Sequence, residues 1–474
     1  MSSSFLNDGC LGGVAAGAIQ RREFISRAGL GLGGLALGDL LGSEGANILG
    51  AHFPPKARRV IHFFLNGGPS HVDTFDPKPA LMRYAGQPLP RSVARITERK
   101  TGAAMPSPFA FRRYGKSGLE ISDLFERTAR AHADDIAVIR SMRAQVPNHE
   151  PSLMLMNCGD GLQARPSVGA WLMYGLGVEN RSLPGFIAMC PGGLPIKGSE
   201  NWQSGFLPGA YQGTYLNTRE SDVERLLENI RNGEVPLRDQ RRQVDFLRGV
   251  NARFRIGREG DSRLEARMES FELAFRMQTE ATDAFDISRE SPSVRAMYGD
   301  TVHGRQTLMA RRLLERGVRY VQLWHGAGQP WDNHDQIESN HRRLAADIDG
   351  PISALMTDLK RLGMFEDTLI LWGGEFGRTP SVEMAGAKSK LGRDHNHYGF
   401  SVWMAGGGVR GGQAYGETDE FGFAATERPV DVHDLHATML HLMGLDHERL
   451  TFRHSGRDFR LTDVHGTVLR ELLA

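Results

Sequence analysis

The chain has little cysteine, no excess of charge of one sign and no long apolar run, and each absence argues against a class of protein. Its 474 residues include three cysteines, Cys10, Cys158 and Cys190, which are too few for a disulfide framework. We expect the last two to be free, buried thiols, with a single disulfide as the alternative. The 57 basic and 56 acidic residues nearly cancel, which argues against a nucleic-acid-binding protein. No stretch approaches the ~20 apolar residues of a membrane-spanning helix, so we predict no stable membrane span.

Sequence motifs for bound redox groups are also missing. No GxGxxG pattern follows the first predicted strand of the mature chain, and no cysteine spacing suits an iron–sulfur cluster or a haem. These absences argue against an oxidoreductase. The composition, 40% hydrophobic and 24% charged, is typical of a globular protein.

The N-terminus resembles a twin-arginine export signal. Arg21 and Arg22 precede a weakly hydrophobic, glycine-rich run at 28–37, in the order of a basic n-region and an h-region. We predict that residues 1–50 are signal and leader, that the twin-arginine export machinery is a partner, and that the mature protein is periplasmic or extracellular. An ordinary amphipathic N-terminal helix is the alternative.

Short apolar runs alternate with helical patterns along the rest of the chain. This alternation predicts an α/β fold, a largely parallel sheet flanked by helices, over residues 51–474. Residues 221–290 are rich in Arg, Glu and Gln with spaced apolar residues, and we predict a helical insertion there. The predicted strands are 60–65, 136–139, 186–189, 318–323, 369–372 and 400–404.

Residues that commonly bind metals lie near the ends of several predicted strands. Ligands of parallel sheets bind beyond the carboxyl ends of the strands, so we expect these side chains to meet. Imidazole and carboxylate without nearby thiolate favour a divalent metal: zinc, manganese, iron or calcium. Hydrogen-bonded structural histidines are the alternative for any one of them. The candidate ligands are Asn66, Asp73, Asp332, His334, Glu375, His395 and His397.

Several stretches resemble an exported family of unknown function, domain-of-unknown-function family 1501. The resemblance covers nearly all of the mature chain, and the family is regarded as a branch of the alkaline phosphatase and sulfatase superfamily. It implies an alkaline-phosphatase-like fold, one or two metals at the strand ends, and hydrolysis or transfer of phosphate or sulfate esters. The matching stretches are LNGGPSHVDTFDPKP, RPSVGAWLMYGLG, LPGF, NWQSGFLPGAYQGT, WDNHDQ, LWGGEFGRTP and GRDHNHYGF.

The resemblance also suggests roles for single residues. Asp332 and His334 resemble the Asp and His that bind one metal after a central strand of the superfamily. Glu375 takes the place of a metal-binding Asp in the segment DTLILWGGEFG, and His395 or His397 resembles a later His that returns to the first metal.

The sequence departs from the superfamily at three positions. Asn66 stands where the first strand usually delivers a metal-binding Asp, with Asp73 as the alternative ligand. Phe376 replaces a His, and a phenyl ring binds no metal. His149 occupies the position of the sulfatase nucleophile, where no formylglycine can form.

Two functions follow from these residues. The first is an exported metal-dependent hydrolase acting on an anionic small-molecule or carbohydrate ester. In it, His149 is the nucleophile or general base, Arg378 holds an anionic oxygen, and Ser70 is a further candidate nucleophile. A structural Arg–Glu pair and a turn serine are the alternatives for Arg378 and Ser70. The second function is a non-catalytic descendant that binds a polysaccharide or partner protein through the old cleft.

Overall fold

The computed structural model describes residues 50–220, 226, 235–255, 271–278, 282–384 and 391–474. The predicted signal and leader, residues 1–50, lie outside the described residues except for Gly50. Part of the predicted insertion at 221–290 lies outside them as well. Helices span Leu237–Arg255 and Thr282–Phe285 in its described part.

A nine-stranded sheet forms the centre of the described chain. Its order is β8–β2–β7–β6–β1–β5–β3–β4, with β9 also pairing with β2. Every pair is parallel except those of β7, which is antiparallel to β2 and β6. In chain order the strands are β1 (Arg59–Phe64), β2 (Ile136–Arg143), β3 (Phe186–Met189), β4 (Thr214–Leu216), β5 (Tyr320–Trp324), β6 (Thr368–Gly373), β7 (Phe400–Ala405), β8 (Gln413–Tyr415) and β9 (Val430–Asp431).

Both faces of this sheet are covered by apolar side chains. On β1, Ile61 and Phe63 belong to one cluster of buried residues, whereas Val60 and Phe64 belong to another. Successive side chains of a strand point to opposite faces, so a strand buried on both sides is a continuous apolar run. The predicted α/β fold with a largely parallel sheet is therefore confirmed.

Helices flank the sheet, and the longest in the described part of the chain spans Ile337–Arg361. Cys158 and Cys190 are buried and free, as predicted. Among the described residues, no helix combines the length and the apolar character needed to cross a membrane. The helices are α1 (His71–Thr74), α2 (Pro79–Arg83), α3 (Glu126–His132), α4 (His149–Cys158), α5 (Val168–Leu176), α6 (Leu237–Arg255), α7 (Thr282–Phe285), α8 (Pro292–Tyr298), α9 (Val302–Glu315), α10 (Ile337–Arg361) and α11 (Val432–Leu442).

One edge of the sheet collects the loops that carry the candidate residues. Strands β1, β2, β5 and β6 run in the same direction and end at this edge, where the antiparallel β7 begins. Two segments between β6 and β7, Gly377–Glu383 and Arg393–Asn396, form a small antiparallel sheet with Thr101–Ala104, which lies between β1 and β2 in the chain. The remaining strand pairs are Phe111–Tyr114 with Leu119–Ser122, Glu417–Thr418 with Ala425–Glu427, and Phe452–His454 with Arg457–Phe459.

Candidate metal centre

Asp332 lies at the centre of three imidazole rings from three separate elements. His334 shares its loop after β5, His395 lies on the strand Arg393–Asn396, and His149 is the first residue of α4. Their Nε2 atoms lie 2.9, 3.2 and 3.4 Å, respectively, from Asp332 Oδ1. The structure therefore brings together four of the residues singled out from the sequence.

The opposite nitrogen, Nδ1, of each of these three imidazoles contacts a glutamate. A carboxylate accepts a hydrogen bond from Nδ1–H, so it fixes the tautomer and leaves the Nε2 lone pair facing Asp332. Metal-binding histidines are commonly oriented in this way. The pairs are His149 with Glu375 (2.7 Å), His334 with Glu383, and His395 with Glu98 (2.7 Å).

The electrostatics of the centre keep Asp332 ionised and His395 neutral. Burial raises the pKa of Asp332, but its contacts with the three imidazoles and the charge of Arg378 outweigh burial, so the pKa is well below its usual range. Burial lowers the pKa of His395 to about 3, so this ring is neutral at pH 7. Burial also lowers the pKa of His149, but its contacts with Asp332 and Glu375 outweigh this, and the raised net pKa favours a protonated ring, whose proton a bound cation would displace. An ionised carboxylate and a neutral imidazole are the forms that coordinate a cation.

Glu375, just beyond the end of β6, connects His149 to the loop that follows β1. Its Oε1 accepts hydrogen bonds from His149 Nδ1 and from the backbone N–H of Gly67, at 2.7 and 2.9 Å. Its Oε2 is buried and has no hydrogen-bond partner among the described residues. Gly67 has φ +112°, and a Cβ there would lie 2.4 Å from the backbone nitrogen of Asp332. Only glycine allows the two loops to approach this closely.

The donor set fits a divalent cation. Three imidazole nitrogens converge on an ionised carboxylate, and one of them, His149 Nε2, is buried without a hydrogen-bond partner among the described residues. Three overlapping groups have ligand atoms within 4.8 Å of one another: His149, Asp332 and His395; Glu98, Asp394 and His395; His334, Glu383 and Asp394.

Three further carboxylates at the site, Glu98, Glu383 and Asp394, were not predicted as ligands. Asp394 is adjacent to His395 in GRDHNH, which was the one available signal. Glu98 and Glu383 lie in no motif, and Glu383 is 49 residues from the histidine it contacts.

Three predicted ligands have their side chains engaged elsewhere. Asn66 Nδ2 donates to the carbonyls of Gly326 and Gly328, at 2.8 and 2.6 Å, so its amide holds the loop after β5. Both carboxylate oxygens of Asp73 accept hydrogen bonds from Arg393, at 2.8 and 3.0 Å. His397 packs its ring 3.9 Å from that of Tyr398 and is in none of the three groups. We therefore leave all three out of the metal set.

Arg378 and Ser70 are both fully buried. The Arg378 guanidinium donates to the carbonyls of Gly67 and Gly68, and to Asp332 Oδ1 at 2.7 Å. These acceptors belong to the protein itself, so Arg378 joins the two loops, which favours a structural role over the predicted contact with an anionic oxygen. Ser70 contacts His341 through its backbone N–H, at 3.1 Å to Nε2. Its hydroxyl does not reach solvent, as an attacking group in an open cleft would.

Comparisons with known proteins give the family. No curated protein matches the chain. Among solved structures, PsFucS1 sulfatase from Pseudoalteromonas sp. is 12% identical over 95% of this chain and 76% of its own, with a TM-score of 0.37. The phosphonate monoester hydrolase of Agrobacterium radiobacter is 12% identical over 83% of this chain and 74% of its own, with a TM-score of 0.35. The alkaline phosphatase of the Antarctic bacterium TAB5 is 11% identical over 82% of this chain and 98% of its own, with a TM-score of 0.33. The sequence profile of the family described as "Protein of unknown function (DUF1501)" matches residues 57–473, and the chain belongs to that family.

Proposed function

We propose that this protein is an exported, metal-dependent hydrolase of phosphate or sulfate esters. The observation that carries the proposal is the convergence of His149, His334 and His395 on one oxygen of Asp332. These four residues would hold the ion. The glutamate behind each imidazole supports this, because such outer carboxylates orient the ring and raise its basicity toward a metal.

The chain's own groups prepare the site for an anionic substrate. Burial excludes water from the histidines, and the ionised Asp332 offsets part of a cation's charge. When bound, a divalent ion would supply Lewis acidity, polarising an ester oxygen and lowering the pKa of water. The amino-terminal end of α4, a ten-residue helix, lies at the cluster because His149 is its first residue. The positive end of a helix dipole favours negative charge, as on a phosphate or sulfate group.

The ester class rests on the sequence resemblance. Residues 367–377, DTLILWGGEFG, resemble the metal-binding segment of the alkaline phosphatase and sulfatase superfamily, and Glu375 follows the end of β6 there. His149 was predicted as nucleophile or general base. We instead propose it as a ligand, since its Nε2 faces the same Asp332 oxygen as the other two rings.

Export is proposed from the sequence alone. Arg21 and Arg22, followed by the glycine-rich run at 28–37, support passage through the twin-arginine machinery into the periplasm or beyond. These residues lie outside the described part of the chain.

Turnover of model esters by metal-loaded protein tests the hydrolase. The mature protein, loaded in turn with zinc, manganese, iron and calcium, would be assayed on aryl phosphates and aryl sulfates. Asp332→Asn and His334→Gln should abolish turnover and lose the metal held at this centre. His454→Gln, at an exposed histidine, is the matched control and should change neither. Full activity in both site variants would refute the assignment.

A binding protein is the second candidate function. The observation in its favour is that neither Arg378 nor Ser70 reaches solvent, so the predicted anion clamp and serine nucleophile are both lacking. Such a protein would hold its metal, turn over none of the model esters, and bind a polysaccharide or partner protein. Calorimetry with sulfated and neutral polysaccharides would separate it from the hydrolase.

A further inference from the structure

A separate group of side chains that commonly bind metals lies at the end of β5. His325 directly follows β5, His303 is the second residue of α9, and Asp347 lies on α10. Their ligand atoms lie within 4.8 Å of one another, and the two imidazole rings are 4.4 Å apart. This second cluster shares no residue with the group around Asp332.

His325 is buried with its hydrogen-bonding capacity unused. It is 6% exposed, and neither ring nitrogen has a hydrogen-bond partner among the described residues. Its Nε2 faces Asp347, 3.8 Å from Oδ2, a distance beyond that of a hydrogen bond. A buried polar atom without a partner is costly, which points to a ligand between the two groups.

The tautomer of His303 is fixed by Gln306. The amide nitrogen of Gln306 donates to the carbonyls of Met189 and Trp324, at 2.9 and 3.3 Å, so its oxygen must be the atom that faces His303. That oxygen lies 3.2 Å from His303 Nδ1, which therefore carries the proton. The Nε2 of His303 is left with a lone pair, as in the oriented histidines of metal sites.

We propose that His303, His325 and Asp347 form a second metal site, which binds a divalent ion, zinc. Two imidazoles and one carboxylate are a donor set that zinc accepts while keeping one position open. The Asp347 side chain is 37% exposed, which gives the ion a path from solvent. Burial lowers the pKa of both histidines, to about 3 for His303, so the rings are neutral near pH 7. The nearest cation, Arg343 on the same helix, is 3.8 Å from Asp347.

Zinc stoichiometry of the metal-stripped mature protein tests this site, by calorimetric titration and elemental mass spectrometry. Wild type should bind two equivalents. His303→Gln and Asp347→Asn should each lose the equivalent at the second site and keep the one at Asp332. Asp332→Asn should lose the equivalent at Asp332 and keep the one at the second site. His454→Gln is the control and should bind two. Near-ultraviolet circular dichroism checks that each variant is folded, and Asp347→Asn carries the test if His303→Gln does not fold.

The outcomes separate this proposal from the hydrolase. In one outcome, wild type binds a single equivalent that Asp332→Asn retains and His303→Gln loses. This result supports the second site even though the centre at Asp332 then binds no zinc. Unchanged stoichiometry in folded His303→Gln and Asp347→Asn overturns it, as does a wild-type protein that binds no zinc.

Discussion

Replacing Glu375 with glutamine tests whether the carboxylate behind His149 controls metal affinity. The amide oxygen of a glutamine can still accept both hydrogen bonds that Oε1 now receives, from His149 and from Gly67. The geometry of the loop is therefore retained, and what disappears is the negative charge that makes the imidazole a stronger donor. The variant changes the metal site without removing an imidazole.

The expected loss is 10- to 100-fold in zinc affinity, about 1.4 to 2.7 kcal/mol. We expect the upper part of this range, because Glu375 is fully buried and no solvent screens its charge. Its Oε2, which lacks a partner among the described residues, becomes an amide nitrogen in the variant and can no longer accept or coordinate.

Competition with a chromophoric zinc chelator at pH 7 measures this loss. The assay is made in a His303→Gln background, so that the proposed second site does not contribute. Glu366→Gln is the matched control, since Glu366 is exposed and precedes β6, at the opposite end of that strand from Glu375. Unchanged affinity in a folded Glu375→Gln protein would refute the role given to the outer carboxylate.

Three further predictions concern stability, packing and export. Asp73→Asn should lower the free energy of unfolding by about 3–5 kcal/mol in denaturant titrations, because Arg393 stays buried without a counter-charge. Burial raises the pKa of Asp73, but Arg393 lowers it by more, so the net pKa is below its usual value. The ion pair therefore stabilises the fold above about pH 3.8, and this stabilisation is lost on further acidification. An unchanged difference between the two proteins well below that pH would contradict this. Gly67→Ala should lower both the melting temperature and zinc affinity, since its Cβ has no room; a normal value of both would show that the loops can separate. Changing Arg21 and Arg22 to lysine should leave the precursor in the cytoplasm on cell fractionation, and undiminished export would exclude the twin-arginine route.

The sheet was predictable from the sequence because its strands are buried on both faces. The run at 60–65 became β1 (Arg59–Phe64), and that at 186–189 became β3 with the same bounds. Such apolar runs, each followed by glycine or polar residues, also predicted which residues follow the strands. Asp332 and His334 were found in this way, since they follow β5 closely.

The contacts that decide each residue's role were not predictable. Asp73 was a candidate ligand, but it pairs with Arg393, 320 residues later in the chain. Arg378 was expected to face an anion, yet its donors are used by backbone carbonyls of the loop after β1. Nothing in the sequence around His303 indicates a metal ligand. Its proposed partners come from elsewhere in the chain: His325 follows β5, and Asp347 lies on α10.

The metal content of the mature protein, purified without chelator or affinity histidines, tests most directly whether the centre at Asp332 binds a metal. Elemental mass spectrometry would compare His303→Gln, which isolates the centre at Asp332, with the double variant that adds Asp332→Asn. We predict close to one equivalent of a divalent metal in the first protein and none in the second. An equal metal content in the two folded proteins, or a centre that stays empty after incubation with zinc, manganese, iron and calcium, would contradict it.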